Sequence, residues 1–213
     1  MVFFLIGKSL YVVKMKHLVE YFDEMSAIWD NAILHDKEQL NKFIALSNMK
    51  EGAKVLDVGS GTGVLVPYIR KVNKDGEITQ LDLSQRMLNM SRAKNFNDAH
   101  MRYIKANIED YNDSDIYDVI LLYNVLPYLR DKVLSVVNLY RNNLVEGGTM
   151  LISHTYGRCK INCMHLGGDK RISDAELPDI ISLINEYKNC GLSIADFYDE
   201  DKEYCIILKK QLL

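Results

Sequence analysis

The residues whose types and spacing most clearly suggest chemistry are a small-residue loop and an acid that follows it. Asp57-Val58-Gly59-Ser60-Gly61-Thr62-Gly63 places three glycines where a backbone must turn tightly, and it clears side chains from the start of the next helix. A flat, polar ligand lying against that loop would approach the first amides of the helix. Asp82 stands nineteen residues past Gly63, the spacing at which open α/β sheets carry an acid that accepts two hydrogen bonds from ribose hydroxyls. A dinucleotide fingerprint would put its third glycine at 64, but Val64 is there, and no lysine followed by serine or threonine makes a triphosphate loop. The loop is therefore a poor pyrophosphate cradle.

Histidines are the next candidates, because the imidazole pKa suits proton removal near neutrality. His154 falls at the end of an apolar strand, on the edge of the sheet that carries the glycine loop. Cys159, Cys163 and His165, with His154, could be drawn as a metal site. Their spacings match no standard zinc module and a fourth ligand is not evident nearby, so no metal is expected.

Elements that could position these groups follow from periodicity. Helical spacing covers Leu18 to Asp30 and Asp36 to Asn48, where Leu40, Phe43, Ile44 and Ser47 share a face. Short apolar runs then alternate with helices: strands at 54–58, 77–83, 101–106 and 117–123, and helices at 64–72 and after Ser84, whose hydroxyl suits the helix cap. Met87, Met90 and Met101 fall on core-facing positions. Val133, Val137, Tyr140 and Leu144 mark a helix ending before Gly147 and Gly148, with a fifth strand over 149–153. Such alternation demands crossovers and hence a mostly parallel, doubly wound α/β sheet with helices on both faces. The strands at 192–198 and 204–209 are joined by Asp-Glu-Asp-Lys-Glu, short enough for a hairpin that makes the last strand antiparallel. Between 154 and 175 the chain reads as a loop-rich insertion ahead of a helix over 176–189. Trp29, among charged neighbours, suits a lid or a packing anchor.

These segments resemble the class I S-adenosylmethionine-dependent methyltransferases, and among them the ubiquinone/menaquinone-biosynthesis type that acts on small molecules. The resemblance runs from about Tyr21 to Leu208. VLDVGSGTG (Val55 to Gly63) is similar to the family's first motif almost letter for letter, and DGEITQLDLSQRML (Asp75 to Leu88) to its second. The resemblance implies a Rossmann-like seven-stranded sheet with an antiparallel last strand. It further implies that Asp57, Gly59, Ser60, Gly61, Thr62 and Gly63 cradle S-adenosylmethionine, that Asp82 holds the ribose, and that Leu83 and Met87 border the adenine. In YIKANIED (Tyr103 to Asp110), Asn107 stands where the family usually has an aspartate for the adenine amino group. Its side-chain oxygen can still accept that bond, as an uncharged contact, beside Ile108. YDVILLYNVLPYLRD looks like the fourth motif and implies that Tyr123 borders the cofactor while Asn124 and Tyr128 line the methyl-transfer channel. LVEGGTMLISH looks like the glycine turn and fifth strand, and YFDEMSAIWD like an amino-terminal helix that folds over the site. His154 becomes the candidate general base, and His165, in the insertion, a substrate-facing residue.

Composition bounds the rest. The 213 residues are 48% hydrophobic and 26% charged, which suits one folded domain, expected over 15–213 with lid helices in 15–50 and a substrate-selecting insertion in 154–175. A net charge of -3 argues against nucleic acid, and the four cysteines at 159–205 point to a reducing cytoplasm rather than a disulfide scaffold. The apolar start, interrupted by Lys8, is too short to span a bilayer. Residues 1–14 read as an upstream extension or an added strand or helix turn. The expected partner is a small-molecule acceptor, and the expected assembly a monomer or homodimer. The competing readings are a non-catalytic S-adenosylmethionine-binding regulatory module and an NAD-dependent oxidoreductase, the latter disfavoured by Val64.

Overall fold

The apolar runs become the strands of one seven-stranded sheet in a computed structural model that describes residues 2–33, 35–111 and 113–212, with side chains from residue 11 onward. The strands are β1 (Val55–Val58), β2 (Ile78–Asp82), β3 (Met101–Lys105), β4 (Tyr117–Tyr123), β5 (Leu144–His154), β6 (Ile194–Glu200) and β7 (Glu203–Lys209). Their order is β3-β2-β1-β4-β5-β7-β6, with β7 antiparallel to both neighbours and the other pairings parallel. Strand order reverses about β1, so the chain leaves β1 and β4 toward opposite faces of the sheet and a crevice opens outside their carboxyl ends.

Helices cover both faces. They are α1 (Val2–Met25), α2 (Trp29–Ala32), α3 (Lys37–Leu46), α4 (Val66–Val72), α5 (Gln85–Lys94), α6 (Lys132–Asn142), α7 (Arg158–Leu166) and α8 (Ile180–Asn189). Alternation along the strands sorts two cores. Leu56, Val58, Ile120, Leu122, Ile152 and Ile206 face α6 and α8, whereas Val55, Ile78, Val119, Leu121, Leu151 and Ile207 face α3 and α4. Two helix starts carry side-chain caps next to the crevice. Asp36 accepts from the amides of Glu38 and Gln39, and Ser84 accepts from that of Met87 at 3.1 Å.

Several sequence expectations shift. The amino-terminal helix runs over Val2–Met25 and a turn separates it from α2, where a single helix over 18–30 was expected. Leu144 is the first residue of β5, paired with Tyr117, rather than the end of a helix; Asn143 ends the helix by donating to the carbonyls of Asp113 and Asp115. The loop-rich insertion after β5 also contains a helix that the sequence reading did not place, α7. Met90 is exposed, because α5 turns Met87 and Leu88 inward and leaves Met90 outside, whereas Met101, half-buried on β3, packs against the core as expected. Among the described residues no helix is long and apolar enough to cross a membrane.

Candidate active site

The glycine loop is stitched onto the end of β2. Gly59 and Ser60 donate their amides to the Leu81 carbonyl at 2.7 and 3.2 Å, and Gly61 donates to the Asp82 carboxylate at 2.8 Å. These three amides are therefore used within the protein. The loop instead offers a close backbone approach and the Ser60 hydroxyl, which is buried without a partner. Two glycines are required sterically as well as by their left-handed backbone. A Cβ on Gly59 (φ 59°) would lie 2.4 Å from Val125, and one on Gly63 (φ 82°) 2.2 Å from the Ser91 hydroxyl.

Asp82 is held by two backbone amides, from Gly61 and from Ser84 at 2.8 Å, which leaves lone pairs on both oxygens. Burial pushes its carboxyl up to about 6 against the opposing pull of those amides. Asp57 is buried behind it and accepts from the Gln80 amide at 3.0 Å. Burial pushes it up to about 7, with Gln80 opposing and Asp82 adding to the rise. Asp57, Thr62 and Gly63 do not line the cavity described next. Asp57 orders the strand ends, Thr62 donates to Asp30, and Gly63 lies against α5.

A cavity of about 810 Å³ opens between the ends of β1, β2 and β4 and the underside of α1. One end is an apolar slot of Leu83, Met87, Ala106 and Ile108; Asp82 stands at its rim, Gly59, Ser60 and Gly61 form the floor, and Leu18 and Phe22 form the roof. A flat base fits the slot, a diol fits the free lone pairs of Asp82, and the orphan Ser60 hydroxyl awaits a polar group. The residues present thus fit an adenosyl compound. Asn107 lines the cavity, but its side-chain oxygen already accepts from the Glu109 amide at 3.1 Å while its nitrogen donates to the Tyr11 hydroxyl at 2.7 Å, so one lone pair remains for an adenine.

A second cavity, about 730 Å³, adjoins the first. Trp29, Asn124 and Tyr128 line both; Thr155, His154 and His165 line the second. Asn124 is one of two non-glycine residues with left-handed backbone (φ 59°) among the described residues, and both ends of its amide are fixed on Thr155 at 3.0 Å. That strained conformation aims it at the junction of the two spaces. Tyr123 bonds Thr155 at 3.0 Å, and burial pushes its phenol up to about 12. His154 is fully buried with an unpartnered Nε2. Burial pushes it down to about 3, and His165 adds to that, so it is neutral at physiological pH.

Sequence reasoning missed His35. It lies in the loop before the Asp36 cap, lines the first cavity, meets the Tyr123 hydroxyl at 3.4 Å, and keeps a buried Nε2 without a partner. Burial lowers its pKa. Its position beside a helix cap was the available signal. Cys159 and Cys163 are exposed on α7, and no group of three or more potential metal ligands comes together among the described residues.

The strand order and reversed final strand, with an acid at the end of β2 facing a small-residue loop, define a Rossmann-like nucleoside site. Residues 55–148 match the family described as "Methyltransferase domain". The chain is 24% identical over 147 residues to malonyl-[acyl-carrier protein] O-methyltransferase 1 of Ilyobacter polytropus, covering 68% of this chain and 54% of the relative. It is 33% identical over 115 residues to the ubiquinone/menaquinone biosynthesis C-methyltransferase UbiE of Idiomarina loihiensis, covering 51% and 45%. It therefore spans about half the length of these curated relatives. The fold is also that of the N-methyltransferase NodS of Bradyrhizobium japonicum WM9, solved with S-adenosyl-L-homocysteine, at a TM-score of 0.65 and 15% identity over 82% of this chain and 86% of that one.

Proposed function

We propose that this chain transfers a methyl group from S-adenosylmethionine to a small-molecule acceptor, leaving S-adenosylhomocysteine. The observation that carries the reading is Asp82: a buried acid at the strand-order reversal, oriented by two backbone amides and opening beside an apolar slot. In this reading Asp82 takes the ribose, Leu83, Met87 and Ile108 enclose the adenine, Asn107 meets its edge, and Gly59, Ser60 and Gly61 pass beneath the remainder. Tyr123 braces the wall near the sulfur. Asp57, Thr62 and Gly63 support the loop from behind.

Bound S-adenosylmethionine supplies an electrophilic methyl group on a sulfonium. The protein's contribution is alignment, which can lower a barrier by roughly 7–11 kcal/mol in favourable intramolecular cases. The second cavity is the acceptor chamber, because it meets the cofactor space at Trp29, Asn124 and Tyr128. A dinucleotide site would have a glycine at 64 for close packing of helix on strand, and this chain has Val64, whose side chain lines the first cavity. The test is formation of S-adenosylhomocysteine when the purified protein meets radiolabelled S-adenosylmethionine and a panel of small-molecule acceptors. Label in an extractable small molecule supports the reading. Turnover with none of the acceptors, alongside tight cofactor binding, favours a non-catalytic binding module.

A further inference from the structure

The wall between the two cavities contains a directed hydrogen-bond chain. His165 Nδ1 lies 2.5 Å from the Ala175 carbonyl, which can only accept, so the neutral imidazole carries its proton on Nδ1 and leaves Nε2 as an acceptor. The Tyr128 hydroxyl, 3.2 Å from that Nε2, is therefore the donor. The rings meet at 5.4 Å, and Phe22 packs edge-on against Tyr128 from the other side at 5.1 Å, so the phenol is fixed in place. Tyr128 lines both cavities, whereas His165 lines the second and is only half-buried.

The chamber's chemistry is uniform. Its polar groups are amide, hydroxyl and imidazole, its other walls are Ile33, Pro127, Ile161 and Met164, and no Asp, Glu, Lys or Arg lines it among the described residues. Lys160 packs on the Tyr156 ring and is not part of the lining. A carboxylate or phosphate acceptor would enter without a counter-ion from the protein lining and lose hydration that the lining does not replace.

Resting on the methyltransferase reading, we propose that the second cavity takes an uncharged acceptor whose attacking atom carries a proton, and that Tyr128 relays this proton to His165. The acceptor oxygen or nitrogen forms its bond to the methyl carbon as the carbon–sulfur bond breaks, with the electron pair returning to sulfur. The acceptor's proton passes to Tyr128 Oη while the Tyr128 proton passes to His165 Nε2, and the half-buried imidazolium releases it to water. Burial keeps the Tyr128 phenol well above its ordinary pKa, so it relays a proton rather than acting as a standing base. Tyr128 is the catalytic residue and His165, acting through it, the positioning residue.

The experiment uses the full chain loaded with S-adenosylhomocysteine and nitrogen-15-labelled at histidine. NMR of the imidazole reads the His165 tautomer, and three probes of one size, phenol, anisole and benzoate, are titrated in. The expected result is a His165 ring protonated on Nδ1, an Nε2 signal that moves with phenol, and phenol binding at least tenfold tighter than benzoate or anisole. Tyr128→Phe should abolish the Nε2 response and lower kcat at least tenfold while leaving S-adenosylhomocysteine affinity within about threefold; His165→Gln should lower kcat with little change in KM. An Nε2-protonated His165, no response to phenol, or benzoate binding as tightly as phenol overturns the proposal. Calorimetry with S-adenosylhomocysteine on the same samples separates the two failures, since retained cofactor binding leaves the methyltransferase reading standing while the relay falls.

Discussion

Asp82 concentrates the energetics of the site in one carboxylate. Its carboxyl is raised to about 6 in the folded chain and has its ordinary value in the unfolded one. The folded state thus binds its proton more tightly, and its contribution to stability is present at low pH and is lost as pH rises through about 6. Ribose hydroxyls would donate to the ionised form. S-adenosylhomocysteine should therefore bind more weakly as pH falls below about 6, by up to about tenfold per pH unit, and be insensitive to pH above 7; isothermal titration across pH 5 to 8 checks the slope. Gly63→Ala would force a Cβ against Ser91 with the backbone at φ 82°, a loss of about 1–3 kcal/mol on denaturant unfolding. At this scale the sequence was informative where one residue type alone satisfies the geometry, as at Gly59, Gly63 and Asp82. It pointed to His154 but not to that imidazole's basicity, because burial, which sets it, is a property of the folded neighbours Tyr204 and His165 and not of the strand pattern.

Elements hold these residues in register through their ends. The Ser84 hydroxyl caps α5 and also donates to Asp23 on α1 at 2.5 Å while the Ser84 amide donates to Asp82, so one serine joins the second strand's acid, the helix after it and the roof of the cavity. Ser84→Ala should cost about 1 kcal/mol for the cap, lowering Tm by about 2–4 °C in a chain of this size, as scanning calorimetry would record. Strands buried on both faces were legible as unbroken apolar runs, and β4 matches its predicted range of Tyr117–Tyr123. The junction of α6 and β5 was not, because Leu144 continues the apolar spacing of the helix and only the pairing with Tyr117 makes it a strand residue. α7 was hidden in a segment whose helical face carries a single buried residue, Ile161.

Across the whole molecule, the site is closed by pieces distant in sequence. Tyr11 donates to Glu109 at 2.8 Å, Lys14 pairs with Asp174, Glu24 pairs with Arg171, and Phe22 packs against both Trp29 and Tyr128, so α1 and the segment ahead of α8 form a common roof. The surface ion pairs each contribute little, about 0–1 kcal/mol; the aromatic cluster carries the closure. Phe22→Ala should speed S-adenosylhomocysteine release at least fivefold in stopped-flow displacement and leave the sheet's thermal unfolding nearly unchanged. This roof was only partly legible. The motif-like segment Tyr21 to Asp30 pointed to a covering helix, but the contacts of Tyr11 and Lys14 join positions about a hundred residues or more apart that no local pattern links.

The most direct test of the adenosyl site compares S-adenosylhomocysteine with NADH by calorimetry on the wild type and on Asp82→Asn. Saturable binding of S-adenosylhomocysteine by the wild type, at least tenfold weaker binding by Asp82→Asn, and no heat with NADH is the predicted outcome. Binding of NADH without binding of S-adenosylhomocysteine, or equal S-adenosylhomocysteine affinity in both proteins, would contradict it.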